Sequence, residues 1–209
     1  NVAPTAEVFV VYEDGGLRRL DGFRWGLVPG WAKDLKIGNR MINARAETVA
    51  QKPAFRRAFA KRRCIVPADG FYEWTKEPDP SNPGKQPHFI HRPDGEPYAF
   101  AGLWERWRGY LDTATTETEV RSTTIITTAA NEPMSELHDR MPVMLASDAW
   151  DAWLDPTNDD TDMLGRLLVP APPQLIAHHP VSAEVNNARN RGAQLIERVD
   201  LVETRNPDL

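Results

Sequence analysis

The sequence holds one cysteine, Cys64, in 209 residues. That excludes an internal disulfide and the paired Cys-x-x-Cys ligands of a structural zinc site. Stability must come from packing, which a chain of this length and 41% hydrophobic content can supply. No run reaches the ~18 to 20 apolar residues that span a bilayer. Residues 1–20 lack the basic start, apolar stretch and small-residue cleavage site of a signal peptide. Internal repeats, low-complexity tracts and linker-like segments are also lacking. These absences predict one soluble cytoplasmic domain over residues 1–209, with a tail over roughly 200–209, no membrane contact and a monomeric state.

Positive charge is scarce overall: the formal net charge is −5. It is unevenly spread, however. Residues 17–73 carry 13 Lys+Arg against 5 Asp+Glu, leaving 12 against 25 for the rest. A locally basic surface can steer an anionic ligand whatever the net charge, although a solvated basic face has the same composition.

Glu7–Tyr12 reads as a strand, and Asp14-Gly15-Gly16 as a tight turn into Leu17–Trp25. Gly26–Trp31, punctuated by Pro29 and Gly30, reads as a loop that can expose Trp25 and Trp31. Pro53 opens a helical pattern with Phe55, Ala58 and Phe59 on one face and Arg56, Arg57, Lys61, Arg62 and Arg63 elsewhere. Cys64–Pro67 leads into an aromatic strand at Phe71–Trp74, and Lys76–Pro87 reads as a surface loop. Pro87–His91 and Pro97–Trp104 flank an Asp94-Gly95 turn, which predicts a second hairpin; Val120–Thr128 is a β-branched strand. Ser147–Leu154 reads as a helix capped by Ser147, Asp155–Asp162 and Val169–Pro173 as loops, and Gln194–Val199 as a late strand. The fold class expected is α+β, mainly antiparallel β with peripheral helices.

Three strings place polar side chains among apolar or turn residues: Asn43–Thr48, Gly70–Trp74 and Leu137–Pro142. Strand alternation puts Glu73 on one face with Phe71, and Tyr72 and Trp74 on the other. A carboxylate on an aromatic face is desolvated, which suits it to proton transfer; the alternative is a Glu at a sheet edge meeting solvent or an arginine. His138 is flanked by Asp139 and Arg140 and is a candidate proton shuttle, or else a histidine bonded within its own turn. His88 and His91 fall in the second hairpin and His178-His179 in a proline-bounded turn. No histidine pair has the i, i+4 spacing of a helical zinc site, so neither metal nor cofactor is expected. Arg45 and Arg140 each sit two residues beyond a polar candidate, Asn43 and His138, and a guanidinium fork fits phosphate oxygens. With Trp25, Trp31 and Trp74 as stacking platforms, single-stranded nucleic acid suits the set better than duplex. Trp104, Trp107, Trp150 and Trp153 read as packing.

These strings, in this order, resemble the SOS-response-associated peptidase (SRAP) family. The matching pieces are Asn1–Thr5, Arg24–Trp31, Asn43–Thr48, Arg63–Trp74, His138–Pro142 and His179–Ser182 followed by Val185-Asn186-Asn187. The resemblance implies a barrel-like fold and a protein that recognises abasic sites in single-stranded DNA and crosslinks to them. The nucleophile implied is an amino-terminal cysteine, whose amine and thiol close a thiazolidine on the ring-opened sugar and which also carries out self-processing. On the same resemblance, Asn43 holds the cysteine and sugar, Glu73 orients the amine and assists its proton transfers, and His138 acts as acid and base on the sugar hydroxyl. Arg45 and Arg140 bind flanking phosphates, Trp31 and Trp74 pack against the DNA, and Pro4 and Thr128 line the pocket. The cysteine is expected upstream of Asn1, with Cys64 a structural residue. A peptidase acting on other proteins and a noncatalytic single-strand-binding module are the alternatives.

Overall fold

A computed structural model describes residues 1–75, 84–111 and 115–200. Most of the loop expected at Lys76–Pro87, and the tail expected over 200–209 beyond its first residue, lie outside the described residues. In chain order the strands are β1 Glu7–Asp14, β2 Leu17–Trp25, β3 Asn43–Arg45, β4 Arg63–Ala68, β5 Gly70–Trp74, β6 Pro87–His91, β7 Tyr98–Tyr110, β8 Glu117–Ala129, β9 Arg140–Pro142 and β10 Ala177–Pro180. Short helices α1 Arg56–Lys61, α2 Glu132–Ser135, α3 Trp150–Leu154 and α4 Thr161–Arg166 lie between them. None among the described residues is long and apolar enough to cross a membrane.

Strands β2, β1, β4, β7 and β8 pair antiparallel in that order, and a short parallel pairing of β2 with β8 closes them into a five-stranded barrel. The long β8 pairs with β7 along Glu117–Ile125, then with β9 along Thr127–Ala129, while β3 runs parallel to its Ile125–Thr127 segment. Period-2 alternation sorts the apolar side chains of the barrel strands into two cores. Val10, Tyr12, Phe23, Cys64, Val66, Phe100, Trp104 and Ile125 fill the barrel. Ile65, Ala99, Ala101, Leu103 and Ile126 face outward, under Phe59, Trp153, Leu154 and Leu164 of α1, α3 and α4. Gly102 stands beside Cys64 in the interior; a Cβ there would come within 2.9 Å of the Cys64 sulfur. Strands β5, β6 and β10 form a second, three-stranded sheet that packs over one end of the barrel. Phe71 and Ile90 join the interior core, with the Phe71 ring 5.8 Å from that of Phe100.

The β1–β2 hairpin forms as expected, with Gly15 and Gly16 at φ 64° and 76°, the sign a two-residue loop needs. The second hairpin does not form. The Asp94-Gly95 turn exists, with Gly95 N–H donating to Arg92 O, but β6 and β7 on either side belong to different sheets. The reason lies in β7: Tyr98–Trp104 is buried without a break, so it needs strands on both edges and takes β4 and β8. The helix expected from Pro53 begins at Arg56, because residues 48–55 are spent on turns closed by the carbonyls of Thr48 and Lys52. Ser147 caps nothing: Ser147–Ala149 is a 3-10 turn running into α3. The segment expected as loop to Asp162 starts α4 at Thr161, where the Asp160 side chain accepts from Met163 N–H at 2.9 Å. His178 and His179 lie in β10, not a turn, since β10 pairs with β6 and their alternate side chains pack edge-to-face against His88 and Phe89. The late strand is replaced by a 3-10 turn at Ala193–Leu195 and a single bridge from Arg198 to Val181. Trp104, Trp107 and Trp153 are packed, but Trp150 is 39% exposed.

Candidate functional site

Of the candidate residues, Glu73 and His138 are brought within reach of each other, Glu73 from the second sheet and His138 from the segment between α2 and β9. Direct cross-strand partners share a face, so Glu73, opposite His88, faces the barrel with Phe71 and Ile90. It is half-buried there, and burial raises its carboxyl pKa above the ordinary range, opposed by the charge of His138 and a backbone N–H at Trp74. Glu73 and His138 therefore sit within electrostatic reach of each other although 65 residues separate them in sequence.

The backbone fixes His138. Asn131 caps α2 by accepting from Met134 N–H, and the N–H groups of Leu137 and His138 both return to Met134 O. Nδ1 of His138 accepts the Arg140 N–H at 2.9 Å and lies 3.2 Å from Arg140 O. When the ring is neutral, the first contact assigns the proton to Nε2; when Nδ1 is protonated, the carbonyl can accept it. Nδ1 thus has a backbone partner in either case, and among the described residues no hydrogen bond is made at Nε2 of this exposed histidine.

Asn43 and Arg45 enter on β3, which is held by the Trp25 Nε1–H donating to Ile42 O at 2.9 Å and by the buried Ala44 between them. They share the face of Ile125 and Thr127, which continues the barrel interior. Among the described residues no hydrogen bond joins the Asn43 side chain to Glu73 or His138. Arg140, on β9, is committed to Glu47 and to Thr127 O. Its hydrogen bond, set against burial, holds the Glu47 carboxyl below the ordinary range, with the Arg140 and Arg45 charges adding to the effect. Thr128 is buried opposite Met141. Trp74 turns to the outer face of the second sheet, where its Nε1–H donates to Asn186 Oδ1 at 2.8 Å; Asn1 bonds the carbonyls of Val185 and Asn187 around the same turn. Pro4 and Thr5 occupy the corners of a turn closed by Ala6 N–H to Ala3 O, with Thr5 at φ 76°. Trp31 is 63% exposed on a loop tied to β7 through Gly30 N–H to Glu105 and Trp107 Nε1–H to Ala32 O. No hydrogen bond, ion pair or ring contact among the described residues links it to Glu73 or His138.

Sequence reasoning missed Glu47, whose only signal was an opposite charge two residues after Arg45. It also missed the imidazole pair His88 and His178, Nδ1 to Nδ1 at 3.2 Å, with Glu136 3.7 Å from His178 Nε2. Burial, and then the charges of His178 and His179, push His88 down to about 4, so it is neutral at cellular pH. Among the described residues no group of three or more His, Cys, Asp or Glu side chains is arranged to hold a metal ion. Cys64 is fully buried, its thiol pushed up to about 12 by burial, which makes it a poor nucleophile.

Comparisons with known proteins agree with the motif order. The chain is 44% identical over 200 residues to the abasic site processing protein YoaM of Bacillus subtilis, covering 94% of this chain and 83% of that one. It is 34% identical to the abasic site processing protein YedK of Escherichia coli, covering 95% and 84%. A crystal structure of a protein from Bacteroides thetaiotaomicron shares the fold with a TM-score of 0.80 at 26% identity, over 93% of this chain and 82% of that one. The profile of the family described as SOS response associated peptidase matches residues 1–188. The chain belongs to the SOS response associated peptidase (SRAP) family.

Proposed function

We propose that this protein recognises abasic sites in single-stranded DNA and captures them covalently through a cysteine exposed as the amino-terminal residue ahead of Asn1. The observation that carries the reading is the pair Glu73 and His138 within electrostatic reach of each other: a half-buried carboxyl and an exposed imidazole that makes no hydrogen bond through Nε2 among the described residues. The abasic site processing proteins among its relatives support the same reading. An α-amine with pKa near ~7.7 to 8.0 is largely neutral at cellular pH and so nucleophilic, which a lysine near ~10.4 is not. Its lone pair attacks the C1′ aldehyde of the ring-opened sugar, and the carbinolamine loses water to give an imine. The thiol sulfur then adds to the imine carbon while its proton passes to nitrogen, closing a thiazolidine with net loss of one water.

Glu73 shuttles the amine protons, a task for which a raised carboxyl pKa is suited, because a catalytic group works best with its pKa near the ambient pH. His138 exchanges a proton with the sugar hydroxyl, and Asn43 holds the reacting groups. Arg45 and Arg140 bind the flanking phosphates, with Trp31 and Trp74 against the strand and Pro4 and Thr128 lining the pocket. The same cysteine carries out self-processing. The test is incubation of the full-length protein with a single-stranded oligonucleotide bearing one abasic site. A denaturation-resistant adduct that vanishes when the amino terminus is acetylated is expected. No adduct, or one indifferent to acetylation, would overturn the reading.

A further inference from the structure

Arg140 does not present a free fork to solvent. Its Nη1 and Nη2 donate to Glu47 Oε1 and Oε2 at 2.6 and 3.0 Å, and Nη2 donates again to Thr127 O at 2.6 Å. Its Nε–H is buried without a partner among the described residues. Of the five N–H bonds of the guanidinium, three are therefore committed and one is shut away. The remaining one, on Nη1, is left for a ligand. Arg45 differs: it is exposed on β3, and no described side chain hydrogen-bonds it. Both guanidinium charges act on Glu47, so one carboxylate offsets one of two neighbouring cations. An exposed ion pair contributes little to stability. A two-pronged pair with a third backbone anchor does, however, hold a guanidinium in one orientation.

We propose that Glu47 is a positioning residue for the DNA strand, locking Arg140 so that it offers a single N–H to one phosphate while Arg45 serves as the two-pronged phosphate ligand. This rests on the DNA reading above. It has an opposite-signed consequence for two quantities. Releasing Arg140 adds a mobile cation and strengthens indiscriminate binding, but it loses the orientation that sets the sugar against the reacting groups.

The experiment measures binding of undamaged single-stranded oligodeoxythymidylate by fluorescence anisotropy across a salt series, and adduct formation by the full-length protein at saturating abasic DNA. In Glu47→Gln the slope of log affinity against log salt should steepen by about 0.7, because one carboxylate no longer offsets a cation and the net positive charge set against the single strand rises by one. The adduct rate at saturation should fall at least about threefold, through misplacement alone. Arg140→Lys keeps the charge and loses the fork, so its slope should match the wild type while its rate falls. An unchanged slope in Glu47→Gln, or a rate that rises with affinity, would overturn the role of Glu47. If Glu47→Gln does not fold, a wild-type rate in Arg140→Lys does the same. Failure of the wild type to bind the undamaged strand would instead sink the DNA reading itself.

Discussion

Replacing Arg63 with methionine should destabilise the protein more than any other loss from its basic segment, because Arg63 is only 2% exposed. All five of its N–H bonds are used, at the point where β4, α1, α3 and the turn after α3 meet. Nε donates to Trp153 O at 2.7 Å, Nη1 to Phe59 O at 2.8 Å and Ala60 O at 2.6 Å, and Nη2 to Asn158 O at 2.9 Å and to Asp155 O. Methionine fills similar volume and donates nothing. The bonds to the carbonyls of Ala60, Asp155 and Asn158 are only part-buried, and these acceptors can turn to water. Those of Trp153 and Phe59 are buried, and each stranded acceptor costs ~1 to 3 kcal/mol, so a net loss of about 4 kcal/mol is expected. For a domain of this size that lowers Tm by roughly 8 to 16 °C. Arg63→Lys keeps a charge and three donors and should lose about half as much. Thermal unfolding followed by circular dichroism decides it. A drop under about 3 °C in Arg63→Met would mean that the guanidinium's desolvation cancels its hydrogen bonds, and the account of this junction would fail.

Glu73→Gln should gain stability over the wild type as pH rises. Burial lifts the folded-state pKa of Glu73, so at low pH both states are protonated and glutamine is a neutral change, whereas above that pKa only the wild type carries a half-buried charge. Melting both proteins at pH 4 and pH 8 checks this, and a constant difference in Tm would count against it. Arg45→Ala should make the salt dependence of single-strand binding shallower by about 0.7 and weaken all sequences alike; an unaltered slope would remove Arg45 from the phosphate contacts. Cys64 should not react with thiol reagents in the native protein at pH 8, since burial pushes its thiol up to about 12, and Cys64→Ala should leave adduct formation intact. Thr5→Gly should raise stability by about 1 kcal/mol, because a β-branched residue at φ 76° is strained where glycine is not; a loss on unfolding in denaturant would show that the threonine side chain matters more than its backbone.

Local signals carried the sequence reading where structure is decided locally. The β1–β2 hairpin follows from its diglycine turn, and β8 from its β-branched run. Pairing across distance was invisible: the Asp94-Gly95 turn looks the same whether its flanks share a sheet or leave it, and only the unbroken apolar run after Pro97 hinted that β7 is central. Charge misled in the same way. Arg63 reads as part of a basic face with Arg62, yet the carbonyls that bury it lie mostly some 90 residues away. Glu73 and His138 were legible as candidates, from alternation and from motif order. The state of Arg140 was not, because its partner Glu47 is 93 residues distant and nothing in either string announces the other.

The central claim is that Glu73 and His138 act together on one bound sugar, and a double-mutant cycle on the adduct rate tests it most directly. Full-length wild type, Glu73→Gln, His138→Ala and the double variant would each be timed at saturating abasic single-stranded DNA. Each single change should slow capture by roughly 10² to 10⁴-fold, and the double variant should be little slower than the worse single one. Rates that multiply independently, or singles that match the wild type, would contradict a shared site.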